Sequence, residues 1–236
     1  MIAVNVDHVA FRYASDPVFT DLGWEIHDDR CVGLIGANGC GKSTLLRLIA
    51  GDLGADKGFV IRRKGLTIGY LHQEPEISPG HTVWDEVFSA SSDLARIESR
   101  LEKVETSLAD PAVFGDEAAL TNALDRQRRL LMEFERLGGA NYEGRVRSTL
   151  RSLGFADVDF GLPVDALSGG QKKLVGLAKL LIVQPDMLLL DEPDNHLDLD
   201  SKAFLERFIS SYPGAVVIVS HDRYLLDMVV DEIVEL

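Results

Sequence analysis

Apolar positions along the chain change their period twice. Up to residue 71 they alternate or form short solid runs, which predicts strands over 2–11, 24–26, 31–35, 58–62 and 67–71. The first two read as antiparallel neighbours bracketing a turn at Asp16-Pro17, and the basic turn Arg63-Lys64-Gly65 joins the last two. A helical period over 42–50 interrupts this series. From 82 to 153 the pattern is helical throughout, with breaks at Pro111, Gly115 and Gly138-Gly139. The last third alternates again: helix 170–182, buried strand 187–190, helix 201–211 and strand 215–219. Strands alternating with helices predict an α/β core with a mainly parallel sheet.

The helical middle has its own logic. Leu94, Ile97, Leu101, Val104 and Leu108 are spaced 3, 4, 3 and 4, an unbroken heptad seam. After the Asp110-Pro111 break, Leu120, Leu124, Gln127, Leu131 and Phe134 repeat it as 4, 3, 4 and 3 with one polar position. Two seams of similar length predict an antiparallel, coiled-coil-like hairpin over about 93–137, carried by an inserted helical subdomain over 82–153 of one 236-residue domain.

Charge sharpens this division. The chain has a net charge of −14, which argues against a generic polyanion-binding surface. Residues 93–151 hold 11 acidic and 10 basic side chains, a net of −1, so the rest carries −13. The insertion is therefore nearly neutral, and its basic cluster Arg126, Arg128 and Arg129 reads either as a solvated helix face or as a contact surface for RNA or an acidic partner. No run of about 18 apolar residues exists, so no membrane insertion is expected. Cys31 and Cys40 match no zinc or disulfide framework, which points to a reducing, cytoplasmic compartment.

The chemistry concentrates after the third strand. Gly36-Ala37-Asn38-Gly39-Cys40-Gly41-Lys42-Ser43 is a complete phosphate loop between a strand and a helix. Its backbone N–H groups and the positive helix end suit a polyphosphate. Gly36, Asn38, Gly39, Cys40, Gly41, Lys42, Ser43 and Thr44 are the candidate nucleotide ligands, with Ser43 also expected on Mg²⁺. Further on, the apolar run Met187-Leu188-Leu189-Leu190 ends in Asp191-Glu192. A carboxylate at the tip of such a strand can hold Mg²⁺, here Asp191, and Glu192 can polarise an attacking water. Ser168-Gly169-Gly170-Gln171 opens the preceding helix as a second anion site. One triphosphate does not need both sites in one subunit, so the second is expected to serve a nucleotide held by another copy of the fold.

In this order, the phosphate loop, Leu167-Ser168-Gly169-Gly170-Gln171 and Asp191-Glu192-Pro193 resemble the ATP-binding-cassette ATPases over essentially the whole chain. That resemblance implies a P-loop NTPase fold with an antiparallel β subdomain and a helical subdomain. It further implies His221 as the switch histidine on the γ-phosphate, Gln73 as a sensor of Mg²⁺ and water, and Tyr13 stacked on adenine. Asp191-Glu192-Pro193-Asp194-Asn195-His196-Leu197-Asp198, Ser220-His221-Asp222-Arg223-Tyr224-Leu225 and Ile68-Gly69-Tyr70-Leu71-His72-Gln73 look like the ABC-F subfamily, whose arm the hairpin resembles. Transporter cassettes usually carry a Ser-Ala-Leu-Asp type of sequence at 195–198.

The resemblance implies an ATPase that closes head to tail with a second cassette around ATP and Mg²⁺, and that is weak alone. The implied partners are the ribosome, its rRNA or tRNA, in translation or ribosome protection. An ATPase subunit of a membrane transporter, or an ABC-F role in DNA repair, is the alternative. The chain reads as the first cassette of a longer protein. Three departures stand out: Ala37 for Pro, Leu174 for Arg, with a contact to the partner or to a neighbouring loop expected to be missing, and Asp194 for Thr. Asp194 is expected to place a negative charge near Glu192 and the dimer seam, so that Asp194→Thr raises dimerisation or turnover.

Overall fold

The computed structural model describes the backbone of all residues except 76, 111, 112 and 114, and side chains other than those of 92 and 140. The described residues form two compact units. One comprises Met1–Ile77, Leu167–Leu180 and Gln184–Leu236; the other comprises Ser78–Ala166 with Leu181–Val183.

The first unit holds two sheets. Strands β1 (Ile2–Tyr13), β2 (Asp16–His27) and β4 (Lys57–Arg62) form an antiparallel sheet in the order β2-β1-β4. The turn between β1 and β2 lies at Ala14-Ser15, not at Asp16-Pro17, and Ala14 takes φ 51° there. Pro17 sits inside β2 opposite Arg12, and β2 is the edge strand, where a missing N–H costs nothing. The second sheet runs β5 (Ile68–Leu71), β6 (Met187–Asp191), β7 (Ala215–Val219), β3 (Cys31–Ile35), β8 (Glu232–Glu235), all parallel. Consecutive strands β4 and β5 therefore belong to different sheets, and Arg63-Lys64-Gly65 is a crossing between sheets.

Central strands β6 and β7 are buried at every residue, hence their solid apolar runs. Helix α1 (Lys42–Ala50) follows β3 and contributes Leu45, Leu46, Leu48 and Ile49 to one core that also includes Val6, Ile26, Leu34, Leu189 and Val217. Helices α6 (Gly169–Val183), α7 (Leu199–Ser210) and α8 (Arg223–Val229) precede or follow β6 and β7. Short α8 and edge strand β8 went without a sequence signal, because neither is long enough to show a period.

The second unit contains α2 (Val83–Phe88), α3 (Ser92–Leu108), α4 (Glu117–Arg136) and α5 (Gly139–Ser152). Thr82 and Asp85 cap α2 reciprocally. Trp84, Phe88, Phe160 and Tyr142 pack with ring centroids 5.0–6.0 Å apart. Helices α3 and α4 pair as predicted, around Ile97, Leu101, Val104 and Leu130 with Leu108 and Phe134 beside them. The seam of α4 differs from expectation. Leu124 and Leu131 are exposed, whereas Ala123, Gln127 and Leu130 turn inward, a shift of one residue at each leucine. Leu130-Leu131 offers the same side chain in two registers, and only the pairing with α3 chooses between them. The expected break at Pro111 lies outside the described residues.

Candidate functional site: a phosphate-loop cleft

Strand β3 delivers the chain into a loop whose geometry depends on glycine. Gly39 and Gly41 take φ 82° and 109°, in the left-handed region that side chains rarely adopt. A Cβ on Gly41 would lie 2.6 Å from Val18 Cγ1 and 2.8 Å from Phe19 Cζ. Gly41 is also the N-cap of α1 and supplies no side-chain acceptor, so the helix presents unsatisfied N–H groups and its positive end to the cleft. The Lys42 Nζ donates to the carbonyls of Gly36 (2.9 Å) and Ala37 (3.0 Å), which folds the ammonium back over the loop.

This loop floors a cleft of about 640 Å³ lined by Tyr13, Val18, Asn38, Gly39, Gly41, Lys42, Ser43, Thr44, Gln73, Glu192 and His221. Residues from five separate stretches of sequence therefore meet here. Tyr13 stands at the margin, with its hydroxyl 3.4 Å from Thr44 Oγ1. Gly36 and Cys40 belong to the loop without lining the cleft, and Cys40 is a free, half-buried thiol.

The carboxylates come from the end of β6. Asp191 is buried, and desolvation raises its pKa, while hydrogen bonds from Ser43 and Tyr70 oppose that shift. The Tyr70 hydroxyl donates to Asp191 Oδ2 at 3.2 Å, and burial followed by the Asp191 charge pushes its own pKa well up. Immediately after it the chain turns: Glu192 adopts φ 49°, and its N–H still donates to Val219 at 2.8 Å. The Glu192 carboxylate accepts from Gln73 Nε2 (3.0 Å) and from Asn195 Nδ2, with His221 Nε2 3.6 Å from its other oxygen. Lys173 on α6 donates to the Glu192 backbone carbonyl, and desolvation lowers its pKa against the pull of the neighbouring carboxylates.

Ser168, Gly169, Gly170 and Gln171 are not part of this cleft. Ser168 caps α6 and forms a capping box with Gln171. Gly169 lines a second cleft of about 390 Å³, shared with Gln73, Lys172, Lys173, Asn195 and His196. Gly170 admits no side chain, because a Cβ would stand 2.4 Å from the His196 carbonyl oxygen.

Two of the sequence departures take a different meaning in the structure. Leu174 is buried, and the adjacent Lys173 donates to the Glu192 carbonyl. Asp194 is 5% exposed and accepts a hydrogen bond from the Ser220 hydroxyl, so it is no free surface charge. Sequence reasoning also missed Tyr70, Lys173, Asn195 and Ser220 as partners of the acidic turn. Only the subfamily motifs around Tyr70, Asn195 and Ser220 offered a signal.

The residues fit a magnesium nucleotide. Free helix N–H groups and a buried lysine suit phosphates, and Ser43 with Asp191 offers hard oxygen donors. Among the described residues no cluster of three or more His, Cys, Asp or Glu could hold a metal by itself. No helix among the described residues is long and apolar enough to cross a membrane.

Parallel sheet, antiparallel sheet, phosphate loop and strand-end carboxylates together define an ATP-binding-cassette ATPase domain. The family profile described as ABC transporter matches residues 19–195, and the chain belongs to that family. It is 39% identical over 219 residues to the energy-dependent translational throttle protein EttA of Haemophilus influenzae, covering 93% of this chain and 38% of EttA. It is 36% identical over 240 residues to ABC transporter F family member 5 of Arabidopsis thaliana, covering 98% and 33%. The chain thus spans about a third of the length of the curated relatives it matches. The solved ATP-binding subunit of an ABC transporter superposes with a TM-score of 0.70 at 18% identity, covering 99% of this chain and 85% of that one, a likeness of fold.

Proposed function

We propose that the chain is the ATP-hydrolysing cassette of a cytoplasmic ABC-F type protein that works head to tail with a second cassette and acts on the ribosome. The observation that carries the hydrolytic part is the placement of Glu192. Its carboxylate lies at the lip of the phosphate-loop cleft, held by Gln73 and Asn195 with His221 beside it.

In this reading the α1 N-terminus and Lys42 bind the phosphates, and Tyr13 packs on the base. Ser43, Asp191 and Gln73 would hold Mg²⁺, which would neutralise charge on the phosphates. Glu192 takes the proton of the attacking water, Gln73 orients that water, and His221 holds the γ-phosphate oxygens. Ser168, Gly169, Gly170 and Gln171 lie outside the cleft, which supports a site completed by the corresponding residues of another cassette. Binding then closes the pair and hydrolysis releases it, so the chemistry times a conformation.

The ribosomal part rests on the likeness to EttA, an energy-dependent translational throttle protein, and on the hairpin α3–α4. Arg126, Arg128 and Arg129 are exposed on α4, suited to phosphate contacts. The test is co-sedimentation of Glu192→Gln with purified ribosomes in ATP and Mg²⁺, with residues 93–137 present or replaced by a short linker. ATP-dependent pelleting that disappears with the hairpin is expected. No pelleting by a variant that still binds ATP would transfer the cassette to a transporter or DNA-repair role.

A further inference from the structure

We propose that Asp194 is a positioning residue: by accepting the Ser220 hydroxyl it fastens the loop carrying His221 to the turn carrying Glu192. The proposal rests on the hydrolytic reading of Glu192 and His221 given above.

A buried carboxylate is costly unless hydrogen bonds and opposite charge compensate it. Asp194 and Ser220 are each 5% exposed, and Ser220 Oγ lies 2.8 Å from Asp194 Oδ1. A serine hydroxyl has one proton to give. With that proton committed to Asp194, its lone pairs are free to accept, and the Asp222 N–H donates to Ser220 Oγ at 2.9 Å. Asp222 in turn caps α8 through the N–H groups of Tyr224 and Leu225, and its other oxygen accepts from Lys202 Nζ of α7 at 2.9 Å. Both neighbours of His221 are thereby anchored. The imidazole itself is 54% exposed, so its position follows from its backbone neighbours and not from packing.

The other end of the link is equally defined. Asp194 belongs to the turn that begins at Glu192, closed by the Asn195 amide on the Glu192 carboxylate. The ammonium groups of Lys173 and Lys202 both feel the Asp194 charge. Beyond the backbone bond from Glu192 to Val219, the Ser220–Asp194 bond ties the two segments side chain to side chain. A threonine at 194 offers only a neutral hydroxyl, and a charge-assisted bond is about twice as strong. The same turn runs on to His196, whose carbonyl packs against Gly170 at the start of α6. A displacement of residues 194–196 would therefore reach His221 through Ser220.

The test uses the 236-residue chain and follows kcat and KM for ATP hydrolysis beside the affinity for a fluorescent ATP analogue. Loss of the bond in Asp194→Ala and in Ser220→Ala should lower kcat about tenfold with nucleotide affinity unchanged within about twofold. The double variant should be no slower than Ser220→Ala alone, because both changes remove the Ser220–Asp194 bond and Ser220→Ala also removes the acceptor of the Asp222 N–H. Asp194→Asn keeps an acceptor oxygen and should retain most of the turnover. If Asp194→Ala does not fold, as judged by thermal melting, Ser220→Ala and Asp194→Asn carry the test. Glu192→Gln is the control for the underlying reading: it must bind nucleotide and not hydrolyse it, and residual hydrolysis would overturn that reading whatever Asp194 does. With Glu192→Gln inactive, wild-type kcat in Ser220→Ala, additive losses, or equal losses in Asp194→Asn and Asp194→Ala would overturn the assignment. So would a rise in kcat for Asp194→Thr, since the carboxylate would then be a brake on Glu192.

Discussion

At the scale of single residues, the cleft depends on positions where the backbone leaves no room. Gly41 combines φ 109° with contacts from Val18 and Phe19 that a Cβ would violate. Gly41→Ala should therefore cost about 1–3 kcal/mol of stability and displace the α1 N-terminus. A lowered melting temperature together with at least a tenfold loss of nucleotide affinity is the expected pair of readings; intact affinity would refute it. The motif residues of this cleft were legible because each chemical role needs a fixed type at a fixed local spacing. Tyr70 and Lys173 were not, because their partners Asp191 and Glu192 lie 121 and 19 residues away. A tyrosine beside an aspartate and a lysine beneath a carbonyl have no local signature.

At the scale of elements, the α3–α4 hairpin separates pattern from register. Leu130 is 2% exposed and Leu131 is 44% exposed. Leu130→Ala should destabilise the second unit by about 2–3 kcal/mol, the cost of a core deletion that leaves a cavity. Leu131→Ala should stay within about 0.5 kcal/mol of the parent. Urea unfolding followed by hydrogen exchange in α3 and α4 would compare them, and equal losses would restore the register expected from the sequence. The same hairpin carries a titratable liability. Glu98 is desolvated and faces the carboxylates of Asp85 on α2, Glu143 on α5 and Glu102 on α3, which push its pKa up to about 7. The folded unit then holds a proton that the unfolded chain releases near the ordinary carboxyl range. Stability from this group is complete below that range and is lost as pH rises towards 7. Glu98→Gln should flatten that slope and raise stability at pH 8 by about 2 kcal/mol, discounted for partial exposure. Urea midpoints of both proteins at pH 5 and pH 8 decide it.

At the scale of the whole molecule, Ser168 and the first residues of the helix it caps do not line the chain's own phosphate-loop cleft. Hydrolysis by the isolated 236-residue chain should therefore rise more than linearly with protein concentration, in assays spanning about two decades around the dimerisation constant. Constant specific activity would indicate a self-sufficient site. The class of fold was readable from the sequence alone, since buried parallel strands, an inserted helical pattern and the phosphate loop are each local statements about period or spacing. The loop and strand-end residues that line the cleft were readable for the same reason. Which strands share a sheet, which face of α4 meets α3, and how Asp194 comes to serve Ser220 were decided by tertiary structure. Those outcomes depend on groups far apart in the chain that compete for the same buried space and the same protons, and no local pattern records who wins.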